Sequence, residues 1–331
     1  TGSNNTALGQ NAADALTSGA CNIAMGPVAL GAATTGFHNV ALGNLALGVS
    51  TTGCHNIALG FTALGAADTT GSNNIAVGAL AGDAVTTGAC NIALGTNALG
   101  TTTTGCLNIA IGNSAGGPLV KSGSDDACNN IMIGSNTADA LTCGLNNVAL
   151  GLNSLGASTT GCHNVAIGTA ALGVGVVGGT AGEGSYNTAV GWSSMDALTT
   201  GIHNVAMGSN ALGAATTGSY NVAIGRESLG AGVTTGANNI ALGNSAADAL
   251  TCGACNVVLG TNALGASTTG CRNIAIGELA LGCCTLGGTT SQGNYNHAIG
   301  ASSLSKMTTG AFNVAIGTSA MCEALTGTYN V

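Results

Sequence analysis

The residues of this 331-residue chain that chemistry can use are 13 cysteines, five histidines and 12 carboxylates. Cysteine recurs at fixed distances before a repeated asparagine. Cys54, Cys106, Cys128, Cys162 and Cys271 stand two before it; Cys21, Cys90 and Cys255 one before; Cys143 and Cys252 four before. Cys283 and Cys284 are adjacent, and Cys322 stands apart. If the repeats stack, neighbouring cysteines come within the ~4.4–6.8 Å Cα separation that a disulfide needs. The pairs expected on this ground are Cys90–Cys106, Cys143–Cys162 and Cys255–Cys271. Disulfides would suit an oxidising compartment. The competing reading is cysteine as a small, half-buried turn residue. Cys252 and Cys255 with Cys271 resemble metal-ligand spacing, but a structural zinc site takes four ligands, usually from two such pairs. One pair is present, so no metal site is assigned.

His38, His55, His163 and His203 each stand one before the asparagine, where other repeats carry Asn, Cys, Tyr, Leu, Arg or Phe. That variability marks an exposed turn, not a catalytic set; His38 and His55, one repeat apart, would hold a metal only weakly. Asp14, Asp83, Asp139, Asp196 and Asp248 each stand nine after an asparagine. Successive members are about three repeats, on the order of 14 Å, apart, whereas calcium needs 6–8 oxygens at about 2.3–2.6 Å. The local acidic cluster, Ser124–Asp126, reads as a solvated loop. "GVGVVG" (173–178) matches a dinucleotide fingerprint, but "GTAGEGSYNTAVG" follows it where a helix is required. No catalytic residue, no cofactor and no enzyme activity is expected.

These residues ride on an array that fills the chain. The phrase is N-[VI]-A-[LI]-G, a short link, Ala-Leu, then TTG. Its anchors run from Asn5 through Asn22, Asn39, Asn56, Asn74, Asn91, Asn108, Asn130, Asn147, Asn164, Asn187, Asn204, Asn221, Asn239, Asn256, Asn273, Asn296 and Asn313 to Asn330. Of the 18 intervals, 13 are 17 residues long, and every third from the fourth onward is longer. The duplicated unit is therefore three repeats. Gly stands four after the anchor in all 18 complete repeats, and Ala two after in 16, the exceptions being Met132 and Val258.

A β-branched run alternating large and small and ended by Gly predicts a strand of about five residues and a turn. A second short strand is expected at Ala-Leu, and TTG makes the return. Seventeen residues is too short for a helix-pair repeat or a propeller blade and suits one coil of an all-β, parallel β-solenoid. Coils ~4.8 Å apart would stack each position into a column, 19 coils extending on the order of 90 Å. An Asn column would pass amide hydrogen bonds from coil to coil, satisfying buried polar groups, and the aliphatic columns would form an apolar seam. The inserts 116–128, 173–185 and 282–294 are expected along one edge, where solenoids usually bind.

At "NVAIGTAALG", "NIALGTNALGTTTTG" and "NVAMGSNALGAATTGSYNVAIG" the chain resembles the head repeats of trimeric autotransporter adhesins and related arrays in viral, phage and bacterial surface fibres. The resemblance spans essentially the whole chain. It implies a left-handed parallel β-roll, a homotrimer with small residues where three chains meet, and a structural or adhesive role outside the cell or on a virion. The coils compared are shorter, nearer 14 residues, and no neck, stalk or membrane anchor is visible.

Composition narrows the partners. Net charge is −8, and the basic residues are Lys121, Arg226, Arg272 and Lys306, too few to neutralise a nucleic-acid backbone. No Gly-free apolar run reaches the ~18 residues of a membrane span. The expected function is an extracellular structural or adhesive rod, one continuous array within a longer chain. It would form a homotrimer or filament and contact a surface receptor or glycan through its turns and inserts. The alternative is a monomeric solenoid holding a repeating ligand such as ice or polysaccharide, suggested by 11 TTG coils.

Overall fold

The computed structural model describes residues 2–119, 127–174, 183–232, 234–282 and 293–331. They fall into two compact units, Thr1–His163 and Asn164–Val331. The first holds nine strands, β1 (Thr6–Leu8) to β9 (Val148–Leu150), and the second nine more, β10 (Val165–Ile167) to β18 (Val314–Ile316). There is no helix among the described residues. Within each unit every strand pairs in parallel with the next, in register. Between β3 (Val40–Leu42) and β4 (Ile57–Leu59), for example, Val40 faces Ile57 and Ala41 faces Ala58. The protein is a parallel β-solenoid with about 17 residues per turn.

Each strand is three residues long, not five, and turns replace the second strand expected at Ala-Leu. The backbone gives the reason. Gly60 ends β4 at φ 138°, and a Cβ there would fall 2.5 Å from the Gly78 carbonyl oxygen. Only glycine fits that corner. Farther round, the residues six and eight after the anchor are left-handed: Leu45 has φ 58° and Leu47 φ 49°. Alternation in and out of that region cannot continue an extended strand. Hydrogen bonding between coils continues through the turns. Leu45 N donates to Pro27 O at 3.0 Å, one coil back, and Leu47 N to Ala63 O at 3.0 Å, one coil on.

The core is thin. In the coil that starts at Asn39, the anchor, Ala41, Ala46 and Leu47 are all buried. Small side chains fill most of the section; Leu eight after the anchor supplies the bulk in most coils, and Val85, Leu119, Leu141, Leu198 and Leu250, eleven after, do so in others, each worth roughly 1.5–3 kcal/mol when buried.

The asparagine column closes the polar account. Asn56 N donates to Asn39 Oδ1 at 2.9 Å, and Asn39 Nδ2 donates to Gly53 O at 2.7 Å. In many coils Nδ2 also reaches the preceding Oδ1, as Asn74 does to Asn56 at 3.2 Å. The pattern recurs from Asn5 to Asn147 in the first unit and from Asn164 to Asn330 in the second. A buried asparagine per turn is tolerated because its donors and acceptor are occupied.

Candidate functional site

Three surfaces come out of this geometry, each a column repeated along a unit. The first is the outer face of the strands. Ala two after the anchor points inward and is buried, so the residues one and three after the anchor point outward. They are Val, Ile, Leu or Met almost throughout, and most strands are half-exposed on these two positions, with Ile133, Met207 and Ile299 more open. The alanines lie inside the coil, where Met132 and Val258 are also accommodated at the same position, and the aliphatic seam lies outside.

The second surface is the turn just before the anchor. Residues here are exposed and left-handed, as His38 (φ 57°) and Cys90 (φ 59°) show. Identical backbone on consecutive coils sets the side chains side by side. Tyr186, His203 and Tyr220 stack with ring centres 4.8 and 5.1 Å apart, and Tyr295, Phe312 and Tyr329 stack at 4.8 and 5.0 Å. The Arg272 guanidinium lies 5.3 Å from the Tyr295 ring centre, and its Nη1 donates to the Tyr295 hydroxyl at 2.6 Å.

The third surface holds the aspartates, and here the structure adds what the periodicity of Asp alone did not. The column nine after the anchor reads Asp196, Gly213, Gly230, Asp248, and likewise Asp83, Gly100, Gly117, Asp139. Two glycines between two aspartates cut a notch into the edge. One such notch encloses about 300 Å³, lined by Asp196, Asn210 and Glu227 among small residues. Glu227 is paired with Arg226 Nη1 at 2.9 Å and accepts from Ser245 Oγ at 3.4 Å. Burial raises the carboxyl pKa of Asp83, Asp139, Asp196 and Asp248; a hydrogen bond from the Ser193 side chain partly offsets this at Asp196, and Glu227 adds to it at Asp248. The signal was present in the sequence, in the glycines between the aspartates.

The cysteines pair differently from expectation. Cys106 is bonded to Cys128, with Cα atoms 4.8 Å apart, and therefore not to Cys90. Both stand two before their anchors. Cys90 stands one before, on a left-handed residue whose side chain leaves the edge in another direction. The same mismatch separates Cys255 from Cys271, while Cys143, four before its anchor, and Cys162, two before, stand in different columns; Cys143, Cys255 and Cys271 carry free thiols. Only cysteines in one column on consecutive coils face each other. Cys283 and Cys284, the "GVGVVG" glycines from 175 on, Ser124–Asp126 and most of the three long inserts lie outside the described residues. Among the described residues no three of His, Cys, Asp and Glu converge to hold a metal ion, and no helix is long and apolar enough to cross a membrane.

The TTG column divides its labour. The first threonine is half-buried and donates its hydroxyl to the next coil's backbone, as Thr199 does to Thr216 O at 2.9 Å and Thr86 to Thr103 O at 3.1 Å. The second is exposed in some coils, as at Thr35 and Thr87, and half-buried in others, as at Thr200 and Thr269. The threonines thus form no uniformly exposed row along the coils.

No family model matches the chain, and no curated protein and no solved structure matches it.

Proposed function

We propose that the chain is a non-enzymatic structural and adhesive repeat. It acts outside the cell, on a cell or virion surface, and assembles as a homotrimer or filament through the outer face of its strands. The observation that carries this is the pair of aliphatic rows. In each nine-stranded unit they run as two adjacent, partly exposed apolar rows from strand to strand, and contiguous exposed apolar surface of this kind marks interaction sites. A standard specific interface covers about 800 Å² per partner. The turn before the anchor, with its aromatic stacks, and the separate acidic notches nine after it offer repeated weak contacts to a receptor or glycan, which multivalency adds up.

The test is the native mass in solution, with and without reductant, for the wild-type chain and for Ile57→Asp combined with Ile92→Asp. A trimer or larger assembly that survives reduction, and falls to monomer in the variant while keeping its β circular dichroism, supports the proposal. A wild-type monomer at tens of micromolar, or an assembly indifferent to the two aspartates, overturns it.

A further inference from the structure

We propose that His38 and His55 form a two-ligand site for a borderline transition-metal ion, of the class of Ni(II), Cu(II) or Zn(II), on the turn edge of the first unit. The two residues occupy the same place on consecutive coils, each with φ 57°. Their backbone positions are tied by equivalent bonds, His38 N to Ala20 O and His55 N to Phe37 O, both 3.0 Å. The rings stand 5.0 Å apart, centre to centre, at 86°. Phe37 meets both edge-on, at 5.3 and 5.1 Å.

That spacing is the one a chelate needs. A metal–imidazole bond is about 2.0–2.1 Å, and the ring centre lies about 1.1 Å behind the nitrogen. Two rings on one ion at an angle of ~90–110° therefore have centres roughly 4.5–5.2 Å apart. The observed 5.0 Å between ring centres falls within that range. Both residues are exposed, so the ion keeps its remaining positions for water. Imidazole donors select this class of metal over calcium or magnesium. Cys21 stands one coil earlier in the same column, but no third ligand converges here, so the protein supplies two. The histidine pair is particular to these coils: His203 lies between two tyrosine rings.

The experiment is Ni(II) titration of the full chain by calorimetry, after alkylation of its thiols, alongside retention on immobilised Ni(II). The variants are His38→Asn, His55→Asn and, as control, His203→Asn. Asparagine already occupies this column at Asn73 and Asn238, with φ 62° and 61°, so the exchange suits the backbone. The proposal expects one Ni(II) per chain, binding weakened at least ~10-fold by either His38→Asn or His55→Asn because the chelate is lost, and no change in His203→Asn. Equal binding by wild type and the two variants, or an equal loss in His203→Asn, overturns it.

Discussion

Asn204 offers a direct test of how the solenoid holds together. Its Oδ1 accepts the Asn221 amide at 2.9 Å; its Nδ2 donates to Gly218 O at 2.8 Å and to Asn187 Oδ1 at 3.1 Å. The side chain is buried. Asn204→Ala leaves Asn187 Oδ1 a partner, the Asn204 backbone amide at 2.9 Å. The Asn221 N–H and the Gly218 carbonyl lose theirs. Two buried groups left unsatisfied cost about 1–3 kcal/mol each, so about 2–6 kcal/mol falls on one coil. Because each coil touches only its neighbours, the damage should stay local. Hydrogen–deuterium exchange with residue-level fragmentation reads it directly. The Asn221 amide should exchange at least ~30-fold faster, the equivalent of about 2 kcal/mol. Coils several turns away should be unchanged. Asn204→Asp separates acceptor from donor: it keeps the Asn221 bond but sets a carboxylate against two acceptors, and acid, by protonating it, should restore part of the protection. An Asn221 rate within threefold of wild type in Asn204→Ala, or an effect spread evenly over the unit, would refute the account of the ladder as the element joining coil to coil.

Four further outcomes are expected. Asp83, Asp139, Asp196 and Asp248 have folded-state pKa values raised chiefly by burial. The stability they allow is therefore fully present below the unfolded carboxyl pKa and lost as pH rises through the folded one. Replacing all four with Asn should raise the neutral-pH melting temperature and flatten its dependence between pH 4 and 7, judged by thermal circular dichroism. Leu107 is exposed at φ 56°, and Leu107→Asn, better suited to that conformation, should stabilise its coil by up to about 1 kcal/mol in urea melts. Gly208→Ala, at φ 137° and with the Gly225 carbonyl 2.5 Å from the new Cβ, should expose coils on both sides to limited proteolysis. Reducing Cys106–Cys128, which closes 22 residues, should cost about 3 kcal/mol locally and quicken exchange around Asn108 and Asn130 while leaving the second unit untouched.

Much of this was legible in the residues. Period, coil type and the Asn and Gly columns follow from sequence spacing, because a position that stacks on its own copy must satisfy the same geometry every turn. Ala opposite Val and Ile gave the two faces of the strand. What spacing could not tell was which face turns inward, since that depends on the width of the section, set by the turns. Those turns, with left-handed Leu45 and Leu47 where a strand was expected, run against the usual preference of leucine; burial of Leu47 inside the coil overrides it. The cysteine pairs failed for a related reason. Separation along the chain brings Cys90 near Cys106, but side-chain direction, set by φ, decides whether two thiols meet. The acidic notches are set by the glycines between the aspartates as much as by the aspartates themselves.

The sameness of the coils also bears on how such a chain can change. Asn74 and Asn130 present the same groups to their neighbours, and from Asp83 to Asp248 the Asp-Gly-Gly column returns to its starting phase every three coils. A gene encoding this array can therefore gain or lose a three-coil block by unequal recombination, and the junction rejoins with every amide, corner glycine and notch matched. Loss of a single coil would keep the amides but put the notches out of step. Length thus becomes a trait that selection can adjust in units of three without having to find a new fold.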